Sequence, residues 1–95
     1  MIKINVKDNL ITIKGHSGYS EYGSDIVCAS VSSIAITSIN SILKYDEKSL
    51  EYIKDDGYLE VKILKHDKII DLLLDNMIEL LKDLEKEYKK YIKIN

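Results

Sequence analysis

The segment that most restricts the fold is a hairpin pattern in the middle of the chain, LEYIKDDGYLEVKIL, residues 50–64. Asp56-Gly57 is a two-residue connection typical of a type I′ turn, with apolar residues alternating on both sides of it. Folding about this turn places Tyr52 opposite Val61. The other apolar residues brought to the same face are Leu50, Leu59 and Ile63. Because the register and the hydrophobic pattern agree, we predict two antiparallel strands that share one buried face.

A second alternating pattern opens the chain. Residues 1–6 and 10–15 alternate apolar and polar side chains, and Lys-Asp-Asn at residues 7–9 has the composition of a turn. The apolar positions are Ile2, Ile4, Val6, Ile11 and Ile13. We therefore predict a first hairpin that precedes the one at residues 50–64.

Residues 26–43, IVCASVSSIAITSINSIL, carry no charge over 18 residues, which raises the question of a membrane span. Seven of these residues are Ser, Thr or Asn, whereas a transmembrane helix is predominantly apolar. We interpret the segment as a buried helix of a soluble domain and expect no membrane partner.

The last helix is predicted from about Asp67 to Tyr91, because apolar residues recur there at spacings of three and four. The repeat consists of Ile70, Leu74, Met77, Leu81, Leu84, Tyr88 and Tyr91. A further set, Ile69, Leu72, Leu73, Ile78 and Leu80, widens the apolar surface. The pattern leaves open whether this helix only covers the sheet or also meets another chain.

These elements predict one α+β domain over residues 1–95, in the order β-β-α-β-β-α. The expected architecture is a four-stranded, largely antiparallel sheet with two helices packed on it. A hydrophobic content of 45% and a charged content of 32% agree with a globular chain. A single cysteine excludes an internal disulfide, which favours a reducing, cytoplasmic location.

Charge argues against direct nucleic-acid binding. The formal net charge is −2, and a protein that grips phosphates usually has a basic face. Lysines 82, 86, 89, 90 and 93 do cluster late in the last helix, but Glu79, Asp83, Glu85 and Glu87 lie among them. We interpret this surface as a solvated helix face, and an RNA-binding strip is the alternative.

The candidate site is the stretch GHSGYSEYGSDIVC, residues 15–28, which contains the only cysteine and one of two histidines. Ser24 or Asp25 can cap the following helix and so place Cys28 in its first turn. Unpaired backbone N–H groups and the helix dipole favour a thiolate there and could hold an oxyanion. Because glycines make the intervening segment flexible, His16 can reach Cys28 as its base.

Plainer interpretations of the same residues remain open. A lone cysteine in an apolar helix is often a small buried hydrophobic residue, and a histidine beside a glycine is often a loop residue. Asp25 can be a helix cap and nothing else. Tyr19 and Tyr22 either line a substrate groove or cover the edge of the core. One cysteine and two distant histidines fall short of a metal site, no phosphate-loop motif is present, and we expect no cofactor. His66 is expected to be structural or exposed.

Residues 15–32, GHSGYSEYGSDIVCASVS, resemble the signature of the bacterial ribosomal-processing cysteine proteases. The family pattern is GHAGYA, a short variable piece, a glycine, one residue and then DIVCAAVS. Ser17, Ser20 and Ser30 stand where alanine is usual, which changes polarity slightly and leaves the residue types of the Cys–His pair intact. The predicted element order also matches the fold of that family.

The resemblance implies a cysteine endopeptidase that removes a short N-terminal extension from large-subunit ribosomal protein twenty-seven of the L series, cutting after an aromatic residue, as ribosome maturation requires. It implies Cys28 as nucleophile and His16 as general base. It leaves Asp25 to orient the histidine, bind substrate or cap the helix. It also implies a homodimer and a flexible substrate loop comprising Gly15, Ser17, Gly18, Tyr19, Tyr22, Gly23 and Ser24. The alternative is a ribosome-assembly or RNA-binding factor that uses the same fold without catalysis.

Overall fold

The computed structural model describes residues 1–21 and 23–95. Its elements are β1 (Ile2–Lys7), β2 (Leu10–Lys14), α1 (Ile26–Tyr45), β3 (Leu50–Asp55), β4 (Tyr58–Ile63), α2 (Lys68–Glu87) and β5 (Ile92–Ile94). The β-β-α-β-β-α order is confirmed as the first six elements. A seventh element, the short strand β5, follows them.

The strands form one mixed sheet in the order β3-β4-β2-β1-β5. The first four strands pair antiparallel, and β5 runs parallel to β1 at the opposite edge from β3. The prediction of a four-stranded sheet therefore missed one strand. The predicted α+β class and the largely antiparallel pairing are confirmed.

The last helix is also shorter than predicted, because it ends at Glu87 and not near Tyr91. The backbone N–H of Tyr88 donates to the carbonyl of Leu84, and the N–H of Tyr91 donates to the carbonyl of Tyr88. This turn reverses the chain and sends Ile92 into the core beside Ile2. Apolar residues spaced three apart are compatible with such a turn as well as with a helix. The periodicity of the sequence alone therefore could not locate the end of the helix.

The central hairpin has the predicted register, with Tyr52 paired to Val61 and Asp55 to Tyr58 across a two-residue connection. Gly57 has a φ of 66°, but among the described residues only Asp8 is a non-glycine residue with positive φ. The predicted type I′ turn, which needs positive φ at both central positions, is therefore wrong at Asp56. Tyr52 is 47% exposed, because β3 is an edge strand.

Helix α1 is a core helix. Its buried residues, Val27, Val31, Ala35, Ile39 and Ile42, recur at spacings of three and four and face the sheet and α2. By length and composition alone this helix could cross a membrane. Its buried side chains pack into the core, and the core helix of a protein can meet the same length and composition criterion.

Helix α2 packs the first part of its predicted apolar repeat into the same core. Ile70, Leu74, Met77 and Leu81 are buried, and Leu84 is half-buried. Ile69, Leu72 and Leu80, from the second apolar set, remain exposed to solvent. The helix therefore covers the sheet and also presents an outward apolar surface.

Candidate active site

Cys28 lies in the first turn of α1, where the sequence places it. Its side chain is half-buried and packs partly against the core. The backbone N–H of Ser17 donates a hydrogen bond of 3.2 Å to its sulfur. An amide directed at the sulfur can interact favourably with negative charge that develops there during a reaction.

Asp25 is the N-cap of α1, and both of its carboxylate oxygens are engaged. Oδ1 accepts hydrogen bonds of 3.0 Å from the backbone N–H groups of Val27 and Cys28, and Oδ2 accepts one from the Ser17 hydroxyl. Desolvation raises the pKa of Asp25, but hydrogen bonds from Ser17 and from the backbone of Cys28, Ser20 and Val27 outweigh it and lower the pKa to about 2. Asp25 is therefore ionised at neutral pH and caps the helix.

The capping arrangement corrects one expectation. We expected N–H groups at the start of the helix to hold a developing oxyanion. Those of Val27 and Cys28 donate to the Asp25 side chain, and that of Ala29 donates to the Asp25 carbonyl at 3.1 Å. These three amides are thus occupied by the cap, and the amide directed at the sulfur comes from the loop.

Ser17 connects the loop to both of these residues. Its hydroxyl donates to Asp25 and accepts a 3.1 Å hydrogen bond from the N–H of Tyr19, while its own N–H faces Cys28. The residue is only 4% exposed. Sequence reasoning treated this serine as a slight change of polarity, because nothing in the local pattern shows that it faces the helix cap. Its position makes it a structural part of the site.

His16 follows β2 and is exposed beside the tip of the β3–β4 hairpin. Its Nε2 lies 4.0 Å from Oδ1 of Asp56. The ring lies against Gly57, since a Cβ built at that glycine would be 2.8 Å from Nε2. The N–H of Gly15 donates to the Gly57 carbonyl at 2.8 Å and holds the two segments together.

Sequence reasoning missed Asp56 and Gly57 as part of the site and assigned them only to a turn. They lie forty residues beyond His16 in the chain. The pairing of β2 with β4 brings them beside the histidine, with Lys14 opposite Tyr58. The signal that could have found them is the strand order, which the hairpin pattern does not reveal.

His16 and Cys28 line the same two cavities, so the structure brings them to one cleft. The larger cavity has a volume of about 670 Å³ and an apolar lining from Ile13, Val31, Ala35, Ile36 and Leu59. The smaller has a volume of about 430 Å³ and is lined further by Ser20, Gly23, Asp25, Ala29 and Ser32. Two cavities that share His16, Cys28 and Ser32 as lining residues fit an extended ligand better than a small compact one.

The loop before α1 follows the glycine pattern of the sequence. Gly15, Gly18 and Gly23 have φ values of 95°, 73° and 91°, which side chains with a Cβ rarely adopt. Ser24 donates to the carbonyl of Glu21 and lies 3.0 Å from the Ser20 hydroxyl. The predicted flexibility of this loop stays a prediction.

Tyr19 packs against the segment that follows α2. Its ring meets Tyr88 and Tyr91 edge to face, with ring centroids 5.8 and 5.2 Å apart. In the described part of the loop, Tyr19 thus covers the edge of the core, one of the two roles considered for it. Tyr22, the other tyrosine of that prediction, lies outside the described residues.

His66 is remote from this site in sequence and has partners of its own. Its Nδ1 lies 2.6 Å from Asp71 Oδ1, and its Nε2 lies 2.6 Å from Asn9 Oδ1. These contacts join the start of α2 to the β1–β2 turn. They agree with the structural or exposed role expected for this histidine.

Comparison with known proteins places the chain in a family. The model of the cysteine protease Prp family matches residues 1–93. The ribosomal processing cysteine protease Prp of Staphylococcus aureus is 30% identical over 88 residues, which cover 90% of this chain and 83% of the relative. The corresponding protein of Bacillus subtilis is 26% identical over 87 residues, covering 84% and 78%.

A solved structure agrees with the sequence comparisons. The ribosomal processing protease Prp from S. aureus, in complex with a covalently linked product peptide, superimposes with a TM-score of 0.88 at 29% identity. The match covers 99% of this chain and 95% of that chain. With the fold, the cleft and the family signature in agreement, the chain belongs to the ribosomal processing cysteine proteases of the Prp family.

Proposed function

We propose that this protein is a cysteine endopeptidase with a Cys28–His16 dyad that removes a short N-terminal extension from large-subunit ribosomal protein twenty-seven of the L series. The observation that carries the proposal is the convergence of His16 and Cys28 on one cleft. The Ser17 amide directed at the sulfur adds to it. Each is a feature that a thiolate nucleophile needs.

The proposed reaction is acyl transfer through a thioester. Cys28 transfers its proton to His16, and the thiolate attacks the carbonyl carbon of the scissile bond. The C–N bond then breaks as His16 returns the proton to the leaving amine. Water then attacks the thioester carbonyl while giving a proton to His16, and the C–S bond breaks. His16 passes that proton to the leaving sulfur, which restores the thiol, and the released carboxylic acid ionises in solvent. The cycle consumes one water for each peptide bond.

Asp25 is proposed to support the dyad from the helix side. Its carboxylate accepts hydrogen bonds from the first turn of α1, which carries Cys28, and from the Ser17 hydroxyl. The backbone amide of Ser17 in turn faces the Cys28 sulfur. This arrangement favours the capping role among those left open for Asp25, since both of its oxygens serve the cap and the loop. Asp25 is then a positioning residue for Cys28.

The larger cavity supports a substrate with an aromatic side chain before the cleaved bond. Its volume of about 670 Å³ and its lining by Ile13, Ala35 and Leu59 fit an apolar ring. The S. aureus relative has been solved in complex with a substrate peptide, which supports a peptide ligand for this cleft as well. Burying such a ring contributes about 2–3 kcal/mol of binding, so a substrate with alanine there should be cut about 30- to 160-fold less efficiently.

The proposed activity is tested by a cleavage assay with the purified protein and the extended ribosomal protein of the same organism. Mass spectrometry identifies the products, and Cys28→Ala serves as the inactive control. We expect one cut by the wild type, after an aromatic residue, and none by the variant. Intact substrate after incubation with the wild type, or equal cleavage by Cys28→Ala, would contradict the proposal.

The two histidines provide a matched pair of variants for the same assay. His16→Ala should lose at least 100-fold in kcat, because general acid–base catalysis typically contributes about that much. His66→Ala should retain cleavage, since His66 contacts Asp71 and Asn9. A normal rate for His16→Ala would remove this residue from the mechanism.

A homodimer in the cytoplasm is the proposed state of the enzyme. The exposed side chains of Ile69, Leu72 and Leu80 on one face of α2 support an interface there. Sedimentation of the wild type should give a mass near 22 kDa, twice the 10.9 kDa of one chain. Leu72→Glu should sediment as a monomer, and a wild type that is already monomeric would contradict the proposal.

A further inference from the structure

We propose that Asp56, at the tip of the β3–β4 hairpin, is a positioning residue that orients the His16 ring and stabilises its protonated form during the reaction. The inference rests on the proposed role of His16 as the base. It adds a third residue to the Cys28–His16 dyad, from a part of the chain outside the family signature.

Two independent contacts place the hairpin tip against the ring. Asp56 Oδ1 lies 4.0 Å from His16 Nε2, which is within ion-pair range when the imidazole is protonated. Gly57, the next residue, leaves the space that the ring occupies, because a Cβ there would lie 2.8 Å from Nε2. The Gly15–Gly57 backbone hydrogen bond keeps the tip beside the histidine. The His16 ring thus lies between the Asp56 carboxylate and Gly57, which has no Cβ to displace it.

The carboxylate of Asp25, the acidic residue of the signature, is already engaged in other hydrogen bonds. Its Oδ1 accepts from two helix amides and its Oδ2 from the Ser17 hydroxyl. Moving this carboxylate to serve the histidine would break the helix cap. The hairpin aspartate has no such conflict, since Asp56 contributes its N–H to a bond with Asp55 and leaves its carboxylate at the cleft.

The contact also assigns a role to each ring nitrogen. Nε2 faces Asp56, so the proton exchange with Cys28 falls to Nδ1. When the thiol gives its proton to Nδ1, the ring becomes an imidazolium whose Nε2–H faces the Asp56 carboxylate. The positive charge then lies next to a negative one until Nδ1 passes the proton to the leaving amine. Asp56 itself gains and loses no proton.

The pair is exposed in the structure, with side-chain exposures of 56% for His16 and 74% for Asp56. In water such a pair is weak and screened by salt. A peptide lying in the cleft would exclude water from it and strengthen the attraction. The other titratable or charged groups lining the two cavities are Asp25, Cys28, Lys54, Asp55 and Tyr58.

The first test follows the NMR signals of the His16 ring directly and needs no substrate. The chain has two histidines, each beside an aspartate, so their ring resonances can be compared by proton NMR in one sample. In Asp56→Asn, the His16 ring resonances should shift at low salt, with those of His66 unmoved. In Asp71→Asn, the His66 ring resonances should shift and those of His16 should stay. Equal shifts of both rings in either variant, or an unmoved His16 in Asp56→Asn, would overturn the proposal.

The second test measures catalysis with the same variants. In Asp56→Asn, kcat should fall about fivefold with KM little changed. Asp56→Glu should recover much of the rate, and Asp71→Asn should match the wild type. A wild type that cleaves nothing contradicts the proposed function, while the NMR comparison still decides whether Asp56 acts on His16.

Discussion

Ser17 donates its hydroxyl hydrogen to the carboxylate of Asp25, which ties the residue after His16 to the N-cap of α1. The backbone N–H of Cys28 donates to the same carboxylate. The Ser17–Asp25 hydrogen bond therefore couples the loop, the helix cap and the position of the sulfur. Several expected outcomes depend on that coupling.

Removing the hydroxyl in Ser17→Ala should destabilise the fold at neutral pH by about 1.5–3 kcal/mol, because the variant loses a hydrogen bond to a charged group. Urea denaturation measures the change. Ser20→Ala is the matched control: its hydroxyl meets Ser24 in the exposed loop, and the variant keeps the backbone contact to Asp25. Equal losses in the two variants would contradict a special role for Ser17.

Asp25→Asn should reduce stability in a way that depends on pH. The folded pKa of Asp25, about 2, lies below its ordinary value of 3.8. Its ionised form therefore stabilises the fold above pH 4, by at most about 2 kcal/mol, and this contribution is lost as pH falls from about 4 to 2. The difference in unfolding free energy between wild type and Asp25→Asn should shrink over that interval. A difference that is constant from pH 7 to 2 would contradict the low pKa.

Gly57→Ala should displace the His16 ring, because the new Cβ would lie 2.8 Å from Nε2. We expect at least a tenfold loss of kcat and altered His16 resonances in NMR spectra. Gly23→Ala is the matched variant, since Gly23 also has positive φ but no atom within 4 Å of an added Cβ. It should show only the backbone strain of about 1–2 kcal/mol and leave the His16 resonances in place.

Tyr19→Ala should loosen the loop, because it removes the two edge-to-face contacts with Tyr88 and Tyr91. Each contact contributes about 0.5–1.5 kcal/mol. Hydrogen exchange at the Ser17 and Tyr19 amides should become faster, while exchange in β4 stays unchanged. Tyr52→Ala, at an exposed edge-strand position, should leave the loop amides as they are in the wild type.

The fifth strand should prove as important to stability as the strands that the sequence predicts. Ile92 is 1% exposed, so Ile92→Ala should cost about 2–4 kcal/mol of unfolding free energy. Ile53→Ala, at a position 58% exposed on the opposite edge strand, should cost less than about 1 kcal/mol. Thermal or urea unfolding compares the two. Similar costs would mean that β5 contributes little to the core.

The two hairpins were predictable because their information is local. The alternation around Asp56-Gly57 sets the pairing of Tyr52 with Val61, since a shift of one residue would turn the apolar side chains to solvent. The start of α1 was predictable for a similar reason, because an aspartate before an apolar run is a strong cap signal. The turn type at Asp56 was not, since residue preference does not determine the sign of φ there.

The end of α2 and the strand β5 required the tertiary structure. Tyr88 and Tyr91 continue the apolar spacing of the helix, and three residues of strand are too few to show alternation. Pairing with Ile2 buries the side chain of Ile92. If the helix continued, Ile92 would not reach the sheet. The pairing of Ile2 with Ile92, near the two ends of the chain, therefore determines the structure of this region.

By itself, the sequence determined the order of the first six elements, the register of the central hairpin and the identity of Cys28, His16 and Asp25 as site candidates, because each depends on residues close together in the chain. Only the tertiary structure decided which groups surround them. It engaged both oxygens of Asp25 in the cap and the loop, and it brought Asp56 and Gly57 to the histidine. The physical reason is that β2 and β4 become neighbours through packing of the whole sheet on its helices, which no local pattern encodes.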